Sequence, residues 1–112
     1  MELKKGDIVL VQAPSNPSGT EIQKTRPAVV ISPKEMAIHG HRAIVIPITS
    51  NVSKIYPFEF LIQSKYLSNE SKGCCDQIQT VSTKRIIKKY GVISNSEMET
   101  LDKALKNILR LK

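Results

Sequence analysis

Lys24-Thr25-Arg26-Pro27-Ala28-Val29-Val30-Ile31-Ser32 is the stretch on which the reading of this chain turns. Ala28 to Ile31 are apolar without a break, and three of the four are β-branched. Pro27 bounds them on one side and Ser32-Pro33 on the other. The pattern predicts a short strand buried on both faces. Arg26 stands at the start of that strand, so a permanent positive charge is rooted where core meets loop. A guanidinium anchored there can be aimed at an anion, because its fork matches phosphate oxygens. The competing reading of Arg26 is a structural salt bridge to Glu21 or Asp76.

On the N-terminal side, Ile8-Val9-Leu10-Val11 follows Gly6-Asp7 and reads as a first strand. Ala13 to Thr20 is rich in turn formers and reads as an exposed loop. On the C-terminal side, Glu35 to His41 is expected to be a loop or short helical turn. Arg42 to Thr49 alternates, with Ile44, Ile46 and Ile48 on one face and Ala43, Val45 and Thr49 on the other. Pro47 cannot donate to a ladder, which suggests a sheet edge or a bulge. Tyr56 to Ile62 is expected as a fourth strand, with Tyr56, Phe58, Phe60 and Ile62 facing one way. Ser64 to Gly73 reads as a polar loop with a helical turn. Cys74 to Val81 reads as a bulged strand, and Lys84 to Ile93 as a turn and one last strand.

The period then changes. Ser94-Asn95-Ser96-Glu97 matches a capping box, and Ile93 with Met98 matches a hydrophobic staple. Met98, Leu101, Leu105 and Ile108 mark one helical face. Many short strands followed by one amphipathic helix imply an α+β fold, mainly β. The architecture expected is a small, strongly curved sheet or barrel of about 5–7 strands carrying a helix.

A length of 112 residues predicts one domain, spanning residues 1–112. No apolar run approaches the roughly 20 residues that cross a bilayer. Met1 to Asp7 shows no apolar segment after its lysines, so no signal peptide is expected. Cys74 and Cys75 are adjacent, which disfavours an internal bridge; they read as small buried hydrophobes in a reducing cytoplasm. No spaced cysteine or histidine set suggests zinc, and the ten acids are scattered rather than paired to hold Mg²⁺. No cofactor is expected. Seventeen Lys and Arg against ten Asp and Glu give a formal charge of +7, which favours a polyanion. With three Tyr, two Phe and no Trp, an aromatic stacking platform for single strands is disfavoured.

Taken in order, several segments resemble the MazF/PemK (Kid) toxins of type II toxin–antitoxin modules. They are Lys5–Val11, Lys24–Ser32, Ile46–Ser50, Tyr56–Glu59, Asp76–Val81 and Gly91–Ser94 before Glu97-Met98. The resemblance implies an SH3-like barrel working as a homodimer. It also implies a metal-independent, ribosome-independent endoribonuclease that cuts single-stranded mRNA at short sequences. A cognate antitoxin would silence it by laying an acidic C-terminal tail across the RNA groove.

The resemblance carries Arg26 and Thr49 over as catalytic positions, with Glu21 as a candidate general base and Asp76 as a further catalytic candidate. Lys24, Thr25, Ser50 and Gln77 join as RNA-binding candidates. Each has a plainer reading: Thr49 as a strand former, Glu21 as a solvated loop acid, Asp76 as structural. Cys74 stands where the Kid branch has an arginine two residues before the aspartate. His39 and His41 match no catalytic position and read as surface residues, and Lys84, Arg85, Lys88 and Lys89 read as a solvated basic face. Two alternatives belong to other classes. One is a CcdB-like gyrase inhibitor, although the ending Asn107 to Lys112 lacks that group's aromatic and small residues. The other is a non-catalytic RNA- or protein-binding barrel.

Overall fold

A computed structural model describes residues 2–13 and 24–112. The strands are β1 (Asp7–Gln12), β2 (Thr25–Val30), β3 (Arg42–Thr49), β4 (Glu59–Ile62), β5 (Ser71–Cys74), β6 (Gln79–Ser82) and β7 (Ile86–Val92). Helix α1 (Lys34–Gly40) precedes β3, and α2 (Asn95–Leu109) follows β7. Short 3-10 turns lie at Cys75–Gln77 and Thr83–Arg85. All pairings are antiparallel, in the order β4-β5-β3-β2-β1-β7, with β6 also on β3.

Strand β3 serves two neighbours on one flank. Arg42 to Val45 pair with β6, whereas Ile48 and Thr49 pair with Gly73 and Lys72 of β5. Pro47 lies between these two stretches, so its missing N–H interrupts neither ladder. β3 is therefore interior rather than an edge, and Pro47 marks a change of partner rather than a bulge. The run β7-β1-β2-β3-β6 is closed covalently through the 3-10 turn Thr83–Arg85, which gives a small barrel. β4 and β5 extend from the other end of β3 beneath α2.

Each central strand is buried on both faces, as the unbroken apolar runs require. Val9, Val11, Ala28, Val30, Ala43, Val45 and Val81 fill the barrel. Ile8, Val29, Ile46, Ile48, Phe60 and Ile62 face the other way and pack with Leu101 and Ala104 of α2. The helix starts at the capping box: Ser94 Oγ accepts from the Glu97 N–H at 3.1 Å, and Glu97 Oε1 accepts from the Ser94 N–H at 3.0 Å. Met98, Leu105 and Ile108 pack partly buried against the same core, on the face the periodicity marks.

Three further expectations are corrected. The fourth strand begins at Glu59, not Tyr56: the Glu59 N–H donates to the Tyr56 carbonyl at 2.9 Å, making a turn through Pro57. Tyr56 is thus exposed and stacks on Phe58, with centroids 5.3 Å apart, instead of sharing the inward face of Phe60. Ser71 to Gly73 form strand, not loop. The stretch from Cys74 to Val81 is not one bulged strand, because a 3-10 turn breaks it into the end of β5 and the start of β6.

Candidate active site

The site follows from register. Ala28 opposes Pro47 across β2 and β3, and the same diagonal continued by two residues sets Arg26 against Thr49. Thr49 in turn opposes Lys72, and across β5 and β4 Cys74 opposes Glu59. Directly opposed residues project to one face. The face that carries Ala28, Val30, Ala43 and Val45 into the barrel core therefore continues, beyond Pro47, as Arg26, Thr49, Lys72, Cys74 and Glu59. An apolar core turns into a polar groove along the same strands.

Three hollows meet at Arg26. One of about 300 Å³ is lined by Thr25, Arg26, Thr49, Ser50 and Asn69 among others. A second, about 360 Å³, is lined by Arg26, Thr49, Asn51, Glu59, Lys72 and Gln77 with Pro47, Ile48 and Cys74. The third, about 120 Å³, has an apolar floor of Val11, Pro27, Ala28 and Pro47, with Arg26, Gln79 and Arg85 at its rim. The Arg26 backbone is held by pairing with Val11 of β1, while its side chain is exposed. Among the described residues, Arg26 makes no ion pair, so the salt bridge to Asp76 does not form. Thr49 Oγ1 accepts from the Asn51 N–H at 3.3 Å, which leaves its own O–H to donate.

Lys72 and Glu59 form a buried ion pair, with Nζ 2.9 Å from Oε1 and side chains 11% and 7% exposed. Burial by itself would raise the Glu59 carboxyl; the Tyr56 N–H at 2.9 Å and the Lys72 ammonium outweigh it and hold the group below its ordinary range. The cysteine thiols shift the other way. Burial pushes Cys74 up and Cys75 up to about 12, so both are neutral thiols near pH 7. Among the described residues, Glu59, Cys74 and Asp76 each bring a potential metal-ligand atom within 4.8 Å of the others. Glu59 is engaged by Lys72 and Cys74 keeps its proton, so the set is poorly suited to a cation.

A profile of the PemK-like, MazF-like toxins of type II toxin–antitoxin systems matches residues 4–109. The chain is also 35% identical over 95 residues to Endoribonuclease MazF9 of Mycobacterium tuberculosis (strain ATCC 25618 / H37Rv), covering 79% of this chain and 80% of that protein. The chain belongs to this toxin family. Its fold is similar to that of a chain in the crystal structure of MazE-MazF (Form-II) from Deinococcus radiodurans, at a TM-score of 0.84 and 19% identity, covering 100% of this chain and 99% of that one. A mycobacterial endoribonuclease in complex with its cognate antitoxin superposes at 0.79, with 14% identity and coverage of 97% and 96%.

Within this PemK/MazF toxin, the structure brings together Arg26, Thr49, Thr25, Ser50 and Gln77 of the residues expected from sequence. Lys24 is exposed and lines none of the three hollows, and neither does Asp76, which sits exposed in the 3-10 turn after β5. Glu21 lies outside the described residues. His39 lies in the last turn of α1 and His41 follows the helix, both exposed and lining none of these hollows. Sequence reading missed Lys72 and Glu59. It also missed the place of Arg85, whose Nε donates to the Gln12 carbonyl at 2.8 Å beside the third hollow.

Proposed function

We propose that this toxin is an endoribonuclease that cuts single-stranded mRNA at short sequences, without a metal ion and without the ribosome, in the cytoplasm. The observation that carries the reading is that Arg26 and Thr49 line two hollows together: an exposed guanidinium that makes no ion pair among the described residues, beside a hydroxyl whose proton is left to donate, on one sheet face. In the proposed reaction the ribose 2′-OH attacks the adjacent phosphorus, and the P–O5′ bond breaks. A 2′,3′-cyclic phosphate and a 5′-OH result. A base takes the 2′-OH proton, and an acid protonates the leaving 5′ oxygen. Each such transfer contributes roughly 10²–10⁴-fold. Arg26 neutralises charge building on the phosphoryl oxygens, and Thr49 donates to one of them. Glu21 is the candidate base. Asp76, next to Gln77 in the chain, is the further catalytic candidate and orients Arg26 or hydrogen-bonds the RNA. Thr25, Ser50 and Gln77 line the strand's path, and Lys24 adds positive charge at its entrance.

Two further parts of the reading concern partners. Arg26, Lys72 and Arg85 line the hollows with Glu59 as the one acid among their described charged residues, and the chain carries a formal charge of +7, which suits an acidic antitoxin tail as well as RNA. Two copies of the chain acting as a homodimer complete the proposal. The deciding experiment incubates purified protein with a long RNA in EDTA and maps the 5′ ends produced. Cuts at a shared short sequence, bearing 5′-OH ends, are expected. Intact RNA across several substrates overturns the reading, and inhibition of gyrase supercoiling would move it to the CcdB class.

A further inference from the structure

The Glu59–Lys72 pair stands in the groove, yet the reaction proposed above gives it no task. A buried ion pair is a poor stabiliser in its own right, since two well-packed hydrophobes often do as well or better. What this pair supplies beyond packing is a set of directed bonds. Lys72 Nζ donates to Glu59 Oε1 at 2.9 Å and to the Lys54 carbonyl at 2.8 Å. The same Glu59 oxygen accepts the Tyr56 N–H at 2.9 Å. Together they tie the backbone of residues 54 and 56, in the β3–β4 connection, down to β4 and β5. Asn51 of that connection lines the second hollow together with Glu59 and Lys72.

We infer that Glu59 and Lys72 determine sequence specificity: they pin the β3–β4 connection as one wall of the hollow beside Arg26, and there read the edge of an unpaired guanine next to the scissile phosphate. An ammonium has three N–H donors, and Lys72 uses two within the protein. The third serves an acceptor in the hollow. Guanine offers O6 and N7, the usual lysine targets, and its amino group suits a carboxylate neighbour. Single-stranded RNA exposes such edges, which a duplex hides. Lys72 opposes Thr49 directly, so the base it reads is the one beside the phosphate that Arg26 and Thr49 hold.

The inference rests on the RNA-cleaving reading, and its test separates the two. Lys72→Met leaves Glu59 buried without its cation, so a folded companion, the double variant K72M/E59M, is measured beside it. Both should cut RNA with relaxed choice at one guanine position and a KM roughly tenfold higher, with kcat little changed. In parallel, binding of non-cleavable 2′-deoxy oligonucleotides is read by fluorescence anisotropy. Wild type should favour guanine over adenine at one position by roughly tenfold, and the double variant should lose that preference. A double variant that folds and keeps the wild-type cut sites and guanine preference overturns the inference. So does a wild type with no guanine preference in binding, whether or not it cuts RNA.

Discussion

The two ends of one sheet face teach different things about the same strands. At the barrel end, Ala28, Val30, Ala43 and Val45 are 0–2% exposed and make the core. At the groove end, Arg26 and Thr49 continue the same rows, and their side chains line hollows rather than core. The backbone under the groove is thus held by packing that the groove residues do not supply. Side chains at one end carry stability, and those at the other are free to be chosen for chemistry.

Removing side chains at the two ends should therefore give opposite results. Val45→Ala deletes two buried methyl groups, worth about 1.6 kcal/mol in transfer alone and about 2–3 kcal/mol with the cavity left behind. Denaturant unfolding should show that loss while the cut-site pattern of the folded fraction stays unchanged. Arg26→Ala should instead reduce cleavage by roughly 10²-fold or more, because one preorganised donor to the phosphoryl oxygens is gone. Its folding stability should stay within about 0.5 kcal/mol of wild type, since the side chain is exposed and makes no ion pair among the described residues. A large stability loss in Arg26→Ala, or unchanged cleavage, breaks the distinction between the two ends.

How much of this could be read from sequence follows the same divide. Ala28 to Val30, the alternation at Ile44, Ile46 and Ile48, and the Ser94–Glu97 capping box are local patterns, and each appears as expected in the fold, although the strand stops one residue short of the half-buried Ile31. β5 was illegible because its residues make sense only through distant partners. Gly73 is there because a Cβ would run into the Phe60 ring, and Lys72 is buried because Glu59, thirteen residues earlier, meets it. The turn at Cys75–Gln77 hid for the opposite reason: Cys74, Cys75 and Ile78 look like strand residues until the change of partner on β3 is known. Arg26 and Thr49 were legible as candidates through the family pattern. Their adjacency depends on register between two strands, which no local signal encodes.

A smaller effect sharpens the comparison within the groove. Thr49→Val keeps the β-branched shape, so the β3 ladder and the stability should be little changed. It removes one O–H donor to the phosphate, a bond worth about 0.5–1.5 kcal/mol, and so cleavage should fall by roughly 2–12-fold. Because Oγ1 also accepts the Asn51 N–H, part of the loss should appear as a raised KM from a loosened Ser50–Asn51 wall. A loss equal to that of Arg26→Ala would mean that Thr49 handles a reacting proton rather than a phosphate oxygen.

The smallest expected effect concerns the ion pair and acid. The Glu59 carboxyl is held below its ordinary value of 4.5, so the folded state favours the carboxylate more than the unfolded chain does. The stabilisation this gives is fully present above about pH 4.5 and is lost as pH falls through the lower folded-state value. Urea unfolding followed from about pH 6 to about pH 3 should show wild type losing stability relative to the K72M/E59M variant only in the acid part of that range. Such a result makes the groove wall electrostatically fastened. A stability difference that does not vary with pH would mean that packing holds the β3–β4 connection as it holds Val45, and the two ends of the face would then differ in exposure but not in what fixes them.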